Sequence, residues 1–313
     1  MKKTWIILLI CLLAFGVILW AQRKKEATPT ALELPAISAN DEIVKHTGYT
    51  LSYNEANEQA NWVAYELTAE ETQKAFERTN KFIPDPEVPT GSADDADYRG
   101  SGYDRGHLAP AADMGWSETT MRESFYFSNM SPQRPEFNRG IWKELEEQVR
   151  NWARDYNKIY VVTGPVLEEG LQTIGHDHVS VPKAYYKVIL DYNGSEPKGI
   201  GFILPNEGSS RPVSSYAVTI DSVEKVTHLD FYPALPDAQE KKIESTLCVS
   251  CWNWESTSTR SVHSSKPTKS TQGNTTGEKV QCHGITKAGN RCKNMTTNPS
   301  GYCVHHESQA NQQ

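Results

Sequence analysis

A short stretch of this chain carries three side chains of the kinds that metal-assisted hydrolysis uses. His107 follows Arg-Gly in YDRGHLAP, Asn138 comes thirty-one positions later, and Glu146 comes eight positions after Asn138. Histidine is the usual general base near neutral pH. An amide oxygen binds a hard cation such as Mg²⁺ and leaves the ion its full charge. The set therefore predicts phosphodiester hydrolysis, with His107 as the base and Asn138 as the metal ligand.

The segment IWKELEEQVRNWARDY, residues 141–156, predicts a helix because its apolar residues recur at helical spacing. Its expected buried stripe consists of Trp142, Leu145, Val149, Trp152, Ala153 and Tyr156. If one continuous helix held both Asn138 and Glu146, the two would lie about 12 Å apart along its axis. We therefore expect Glu146 to act through a metal-bound water or by orienting Asn138.

Four apolar runs predict the strands of a central sheet. They are WVAYEL (62–67), IYVVTGPV (159–166), AYYKVIL (184–190) and GIGFILP (199–205), with Asn-Gly at 193–194 as a hairpin turn between the last two. FYFSNM (125–130) predicts a further strand, and AEETQKAF (69–76) predicts a short helix. The order of elements predicts an α+β fold. Its central sheet is mostly antiparallel, and a ββα active-site motif carries His107 and Asn138.

Three motifs in this region resemble those of the DNA/RNA non-specific endonuclease family, the ββα-metal nucleases that include endonuclease G. They are DRGH at 104–107, N-x-[ST]-P-Q at 129–133 and N-x-G-x-W-x-x-[LM]-E at 138–146. VVTGPV, VPKAYYKVIL and FYPALPD are also similar to the family, so the resemblance covers about residues 45–254. It implies Mg²⁺- or Mn²⁺-dependent cleavage of DNA and RNA to 5′-phosphate ends, with little sequence preference. It also implies that His107 is the general base and Asn138 the Mg²⁺ ligand.

The resemblance assigns supporting roles to three more residues of the same motifs. Arg105, Asn129 and Glu146 would act on the phosphate, on the metal-bound waters or on the active-site loop. Ordinary structural roles stay open beside these. Arg105 could instead form a structural salt bridge with Asp104 or with another carboxylate of the body, and an asparagine at the position of Asn138 often caps a helix.

Substrate contacts are expected from three further side chains. The family has an upstream arginine that contacts substrate, and Arg78 in ERTNKFIPDP is the candidate here. Gln133 and Arg139 are candidate phosphate contacts because they lie close to Asn138 in the sequence.

The formal net charge of −7 is unevenly distributed. Residues 1–25 hold five basic side chains and no acidic one, and residues 255–313 hold seven basic and three acidic ones. Residues 26–254 therefore carry −16. Nucleic-acid binding usually uses a basic surface, so this acidic body argues against an extended electrostatic interface. Substrate binding is expected to depend on a metal ion and a few arginines.

The first 25 residues predict a signal anchor or a cleaved signal peptide. Residues 4–21 are uncharged and mostly apolar, with basic residues on both sides. We expect a membrane contact through this segment, and a membrane-anchored or exported protein on the periplasmic or extracellular side. Residues 26–40 form a polar spacer, and residues 41–254 form the predicted endonuclease domain.

The C-terminal region predicts a flexible linker and a small metal module. Residues 255–279 are rich in Ser and Thr, as flexible linkers are. Residues 280–307 contain the pattern C-x9-C-x10-C-x2-H, which predicts a structural Zn²⁺ site. Its ligands would be Cys282, Cys292, Cys303 and His306. Disulfides are the alternative for these cysteines in an exported chain.

The pair Cys248 and Cys251, in CVSC, is compatible either with a local disulfide or with two thiols. For the whole chain, the main alternative to a nuclease is a catalytically silent nucleic-acid-binding protein on a nuclease fold. A metal-dependent phosphodiesterase acting on another diester is a third possibility. No feature of the sequence predicts the oligomeric state.

Overall fold

The computed structural model describes residues 31–194, 196–254, 280–286, 290–296, 300, 302–303 and 309. The chain divides into two compact units, residues 1–260 and 261–313. The predicted N-terminal segment 1–25, the linker 255–279 and His306 lie outside the described residues. Within the described part of the chain, no helix has the length and apolarity needed to span a bilayer.

Seven antiparallel strands form the main sheet of the first unit, in the order β1-β2-β3-β6-β9-β10-β11. These strands are β1 (Glu42–Lys45), β2 (Thr50–Asn54), β3 (Gln59–Thr68), β6 (Lys158–Pro165), β9 (Ala184–Asp191), β10 (Lys198–Pro205) and β11 (Ala217–Val218). Two further pairs lie outside this sheet: β4 (Asp104–His107) with β5 (Met130–Gln133), and β7 (Thr173–Ile174) with β8 (Val179–Ser180). The large antiparallel sheet confirms the predicted mixed α and β architecture.

The central strands are apolar on both faces because both faces are covered. Along β6, Ile159 and Val161 belong to one buried cluster, whereas Tyr160 and Val162 belong to another. Side chains alternate between the two faces of a strand, so each strand contributes to both clusters. This explains the nearly continuous apolar runs in the sequence.

Helices cover both faces of the main sheet. The α-helices of the described residues are α1 (Asp95–Tyr98), α2 (Glu118–Glu123), α3 (Pro135–Phe137), α4 (Lys143–Tyr156), α5 (Ile220–Thr227) and α6 (Asp237–Ser245). α5 and α6 pack against the face that contains Tyr160. α4 packs against the opposite face through the predicted apolar stripe, in which Leu145, Val149 and Trp152 are fully buried.

The chain enters α4 through a π-helical turn, Asn138–Trp142. The turn is kinked at Gly140, whose backbone angles are not helical. π-turns are rare and occur preferentially at functional sites. Because the path from Asn138 to Glu146 is not one regular helix, the axial separation expected from a continuous helix does not apply.

Two predicted elements are wrong. Residues 69–76 form turns rather than a helix. The backbone N–H groups of Ala75 and Phe76 both donate to the carbonyl of Gly115, 3.0 Å away, instead of to a preceding turn. FYFSNM is not one strand, because Phe127–Asn129 is a 3₁₀ turn and β5 begins at Met130.

The C-terminal unit contains a small antiparallel pair, β12 (Val280–Gln281) with β13 (Met295–Thr296). Its buried cluster consists of three cysteines, with Tyr302 packed against them. In the first unit, Cys248 and Cys251 form a disulfide, which settles the alternative that the sequence left open.

Candidate active site

A groove of about 490 Å³ lies beside β4 and the start of the π-turn. Among its lining residues are four arginines, Arg78, Arg99, Arg105 and Arg139. Their guanidinium groups gather positive charge on a body whose net charge is strongly negative. The groove therefore has the local character that a phosphate-binding site needs on an acidic protein.

Asn138 lines this groove, and its amide is oriented by Asp104. The Nδ2 group of Asn138 donates to Oδ2 of Asp104 over 2.9 Å. Burial alone would raise the pKa of Asp104, but hydrogen bonds from Arg139 and Asn138 outweigh it and hold the pKa below its usual range. An ionised carboxylate only accepts hydrogen bonds, so the atom facing Asp104 must be the NH₂ group. The amide oxygen of Asn138 is left for another partner, and a hard cation is a suitable one.

Two of the predicted arginines are held by carboxylates at the groove. Arg139 donates to both oxygens of Asp104, over 2.8 and 2.6 Å. Arg105 pairs with Asp95, and its guanidinium lies 4.4 Å from the ring centre of Phe82. Arg105 is thus paired with Asp95 rather than with its neighbour in sequence.

His107 lies behind the wall of the groove, in apolar surroundings. Its ring stacks edge-on against Phe125 at 4.9 Å and lies 5.7 Å from Phe82, which lines the groove. Arg105 and His107 are alternate residues of β4, so both point to the face that Phe82 covers. Burial, followed by the charges of Arg78 and Arg105, lowers the pKa of His107 to about 3.

The Nε2 atom of His107 is buried and has no hydrogen-bond partner among the described residues. A neutral imidazole has one ring nitrogen with a free lone pair. At neutral pH this side chain is therefore uncharged, as a general base must be before it takes a proton. A pKa this low also makes the ring a weak proton acceptor, so the negative charge of a bound phosphate would be needed to raise its basicity.

Gln133 and Asn129 do not reach the groove. Gln133 is fully buried, and its side chain lies directly over Gly106, where an added Cβ would come within 2.2 Å of it. Asn129 is also fully buried. Its Oδ1 accepts from the N–H of Ala109, and its Nδ2 donates to the carbonyls of Ala109 and Ser124. Asn129 thus holds the segment that follows His107.

Arg78, the candidate for the upstream substrate-contacting arginine, lines the groove. Its guanidinium is 4.9 Å from the ring centre of Phe125, the residue that stacks on His107. Burial lowers the pKa of Arg78, and the negative charge of Glu146 opposes that shift. Arg78 is therefore the residue that connects the groove, the histidine pocket and Glu146.

Glu146 belongs to a group of charges along α4 in which Lys187 and Asp113 are buried and Glu146 and Arg150 are half-buried. Loss of hydration raises the pKa of Glu146, whereas Lys187 and Arg150 act to lower it. Lys187 lies in the middle of β9 and is fully buried, with its Nζ 4.7 Å from the ring centre of Trp142. Arg150 pairs with Asp113 over 2.8 Å.

Several of these residues were not identified from the sequence. Lys187 interrupts an otherwise apolar strand, and a lysine at that position is a signal of a buried charge. Asp95, Arg99 and Phe82 come from segments with no motif, and only the folded chain brings them to the groove.

Comparison with known proteins gives one consistent result. The family model for DNA/RNA non-specific endonucleases matches residues 31–238. "Nuclease EXOG, mitochondrial" of Xenopus laevis is 36% identical over 211 residues, which cover 62% of this chain and 59% of that protein. The chain thus spans less than two thirds of that relative's length. "Nuclease C1" of Cunninghamella echinulata var. echinulata is also 36% identical, over 62% of this chain and 84% of its own length.

Human "Endonuclease G, mitochondrial" is 35% identical over 207 residues, which cover 61% of this chain and 70% of that protein. Among solved structures, a chain from the crystal structure of the EndoG/EndoGI complex is similar, with a TM-score of 0.62 and 34% identity. That match covers 67% of this chain and 92% of the other. The motifs, the sheet and these matches agree: the chain belongs to the DNA/RNA non-specific endonuclease family.

Proposed function

We propose that this chain is a Mg²⁺- or Mn²⁺-dependent endonuclease that hydrolyses phosphodiester bonds of both DNA and RNA. The observation that carries the proposal is the orientation of Asn138. Its amide nitrogen is committed to Asp104, so its oxygen is available in a groove lined by four arginines. An all-oxygen environment suits Mg²⁺ and Mn²⁺ better than softer metals.

Asn138 would hold the metal, which supplies positive charge for the phosphate when it is bound. His107 acts as the general base and takes a proton from the attacking water at its free ring nitrogen. Its apolar pocket keeps the imidazole uncharged before the reaction. Arg105 and Arg78 place positive charge beside the phosphate and stabilise the negative charge that develops in the transition state.

The remaining predicted residues take supporting roles. Arg139 fixes Asp104 and so keeps the Asn138 amide oriented. Asn129 holds the backbone after His107, and Gln133 supports Gly106 from the neighbouring strand. Glu146 is a negative charge near Arg78 and acts through waters or through that arginine.

A lack of base specificity is consistent with the groove's chemistry. Its arginines recognise phosphates, which DNA and RNA share. We also retain the proposal of membrane anchoring or export through residues 4–21. The Cys248–Cys251 disulfide supports it, because disulfides persist mainly in oxidising compartments.

The test is an activity assay on the full chain with plasmid DNA and with RNA. Both substrates are expected to be degraded with Mg²⁺ and to survive in EDTA. His107→Ala is expected to lower the rate by about 10²–10⁴, the usual contribution of a general base. His228→Asn is the matched control, because that exposed histidine ends α5, which packs on the sheet face opposite α4.

Full activity in the His107→Ala protein would refute its role as the base. Binding of duplex DNA without cleavage, with Mg²⁺ and with Mn²⁺, would instead favour the catalytically silent alternative.

A further inference from the structure

Three cysteines meet in the C-terminal unit, far apart in sequence but close in space. Cys282 follows β12, Cys292 lies on the returning segment before β13, and Cys303 comes after it. All three are buried, and their sulfur atoms lie within 4.8 Å of one another. The Sγ atoms of Cys292 and Cys303 are 3.9 Å apart.

The spacing of these sulfurs matches a tetrahedral metal site. Zinc–sulfur bonds are about 2.3 Å long, and two ligands of a regular tetrahedron with that bond length lie about 3.8 Å apart. A disulfide needs the two sulfurs at about 2.05 Å. The observed distance between Cys292 and Cys303 fits two thiolates around one ion.

Backbone N–H groups point at one of these sulfurs. The N–H of Gly284 donates to Sγ of Cys282 over 3.3 Å, and the N–H of Cys303 donates to the same atom over 3.1 Å. Hydrogen bonds of this kind orient metal ligands. The backbone therefore fixes the position of the Cys282 sulfur beside the other two cysteines.

The described residues of this unit form few other stabilising elements. Its buried cluster consists of the three cysteines with Tyr302 against them, and its sheet has two strands of two residues each. A two-stranded pair and so small a core are not independently stable, and natural domains of this size commonly use a metal or disulfides. A metal ion at the cysteine cluster would supply the missing stability.

We propose that the C-terminal unit binds one structural Zn²⁺ through the thiolates of Cys282, Cys292 and Cys303. Binding converts three thiols to thiolates and releases their protons to solvent. This site is separate in chemistry from the groove, because thiolates select zinc whereas oxygen ligands select magnesium. The inference goes beyond the proposed nuclease function and does not depend on it.

The fourth ligand is expected from a histidine. Among the described residues of this unit, His283 is the histidine present, and its ring packs edge-on against Tyr302 at 5.8 Å rather than joining the cluster. His306, the fourth ligand that the sequence spacing predicts, lies outside the described residues.

The test measures metal in the full chain, purified under reducing conditions without chelator. Elemental analysis is expected to find about one zinc per chain. Replacement of zinc by Co²⁺ should give the near-ultraviolet absorption of sulfur-to-cobalt charge transfer. Cys282→Ser and Cys303→Ser should each lose the zinc and that absorption. The double variant Cys248→Ser/Cys251→Ser is the matched control and should keep both.

A wild-type chain that is reduced but holds no zinc would overturn the proposal, as would zinc retained by Cys303→Ser. His107→Ala should keep its zinc, which separates this site from the nuclease metal. Nuclease activity of Cys282→Ser shows that the first unit is folded, so failure of the zinc site is distinguishable from failure of the proposed function. His306→Ala should weaken zinc binding, and unchanged binding would refute that fourth ligand.

Discussion

The two units of this protein differ in the size of their buried cores and, on our proposals, in the purpose of the metal ion that each binds. The first unit buries side chains on both faces of a seven-stranded sheet, including Trp62, Trp142 and Trp152. In the described part of the second unit, the buried cluster is three cysteines with Tyr302 packed against them. On our proposals, a metal in the first unit would serve the reaction alone, so one protein ligand is enough. A metal in the second unit would hold the fold, so several strong ligands are needed.

The strongest test of this contrast is Asn138→Ala, which should abolish function but not folding. We expect kcat/KM for DNA to fall by at least about 100-fold, because changes around a bound metal already cost 10–100-fold. Stability should fall by about 1 kcal/mol, the usual contribution of one hydrogen bond. The measurements are initial rates across a Mg²⁺ titration and urea unfolding.

Asn61→Ala is the matched control. Asn61 is also half-buried and hydrogen-bonded through its side chain, but it lies on β3 away from the groove. It should lose similar stability and keep its activity. Equal activity losses in the two variants would contradict a specific role for Asn138.

Asp104→Asn should lower activity less than Asn138→Ala does. This change removes the carboxylate that orients the Asn138 amide and pairs with Arg139. We expect activity to fall about 10–100-fold, with a higher Mg²⁺ concentration needed for half-maximal rate. Asp41→Asn, at an exposed turn, should leave both quantities unchanged. An unchanged Mg²⁺ requirement in Asp104→Asn would argue against the orienting role.

Lys187→Met should change the pH at which activity is lost more than it changes the maximal activity. The charge of Lys187 lowers the pKa of Glu146, so its removal raises that pKa further. If ionised Glu146 is required, activity will be lost at a higher pH as the solution is acidified.

The measurement is kcat/KM between acid and neutral pH, with circular dichroism as a check that Lys187→Met is folded. Lys183→Met, an exposed lysine next to the same strand, is the control. A profile that does not move would remove Glu146 from the reaction.

The smallest effect is expected on the thermal stability of the first unit when a chelator removes its metal. Residues 255–313 contain no tryptophan, so tryptophan fluorescence does not report on the C-terminal unit. EDTA should shift the melting temperature seen by fluorescence by less than about 2 °C, because a weakly bound ion adds little stability. A large decrease would mean that the first unit also depends on a metal for its fold.

The sequence predicted what is encoded within short segments. DRGH and the stretch from Asn138 to Glu146 are short local patterns, and the antiparallel pairing of β4 with β5, which leads into the π-turn, brings them together. Four strands of the main sheet, β3, β6, β9 and β10, were predictable because most of their residues are apolar, whereas the shorter β1, β2 and β11 were not predicted. The helix predicted over 69–76 fails because its backbone hydrogen bonds go to Gly115, a partner that local propensity does not see.

The surroundings of the site were not predictable for the same reason. Phe82 packs on His107 and Asp95 pairs with Arg105 only because long loops fold back onto β4. Lys187 reaches Glu146 from a strand forty-one positions later in the chain. Such contacts depend on tertiary structure rather than on spacing.

The close packing of Gly106 and Gln133 has a consequence for engineering and for natural variation. Any side chain larger than hydrogen at 106 would strike the side chain of Gln133, which is fully buried and would have to move. The two positions are therefore sterically coupled, although they belong to different motifs. A change at one becomes tolerable only with a smaller residue at the other, so a single substitution at Gly106 should inactivate the protein where the paired substitution partly restores it.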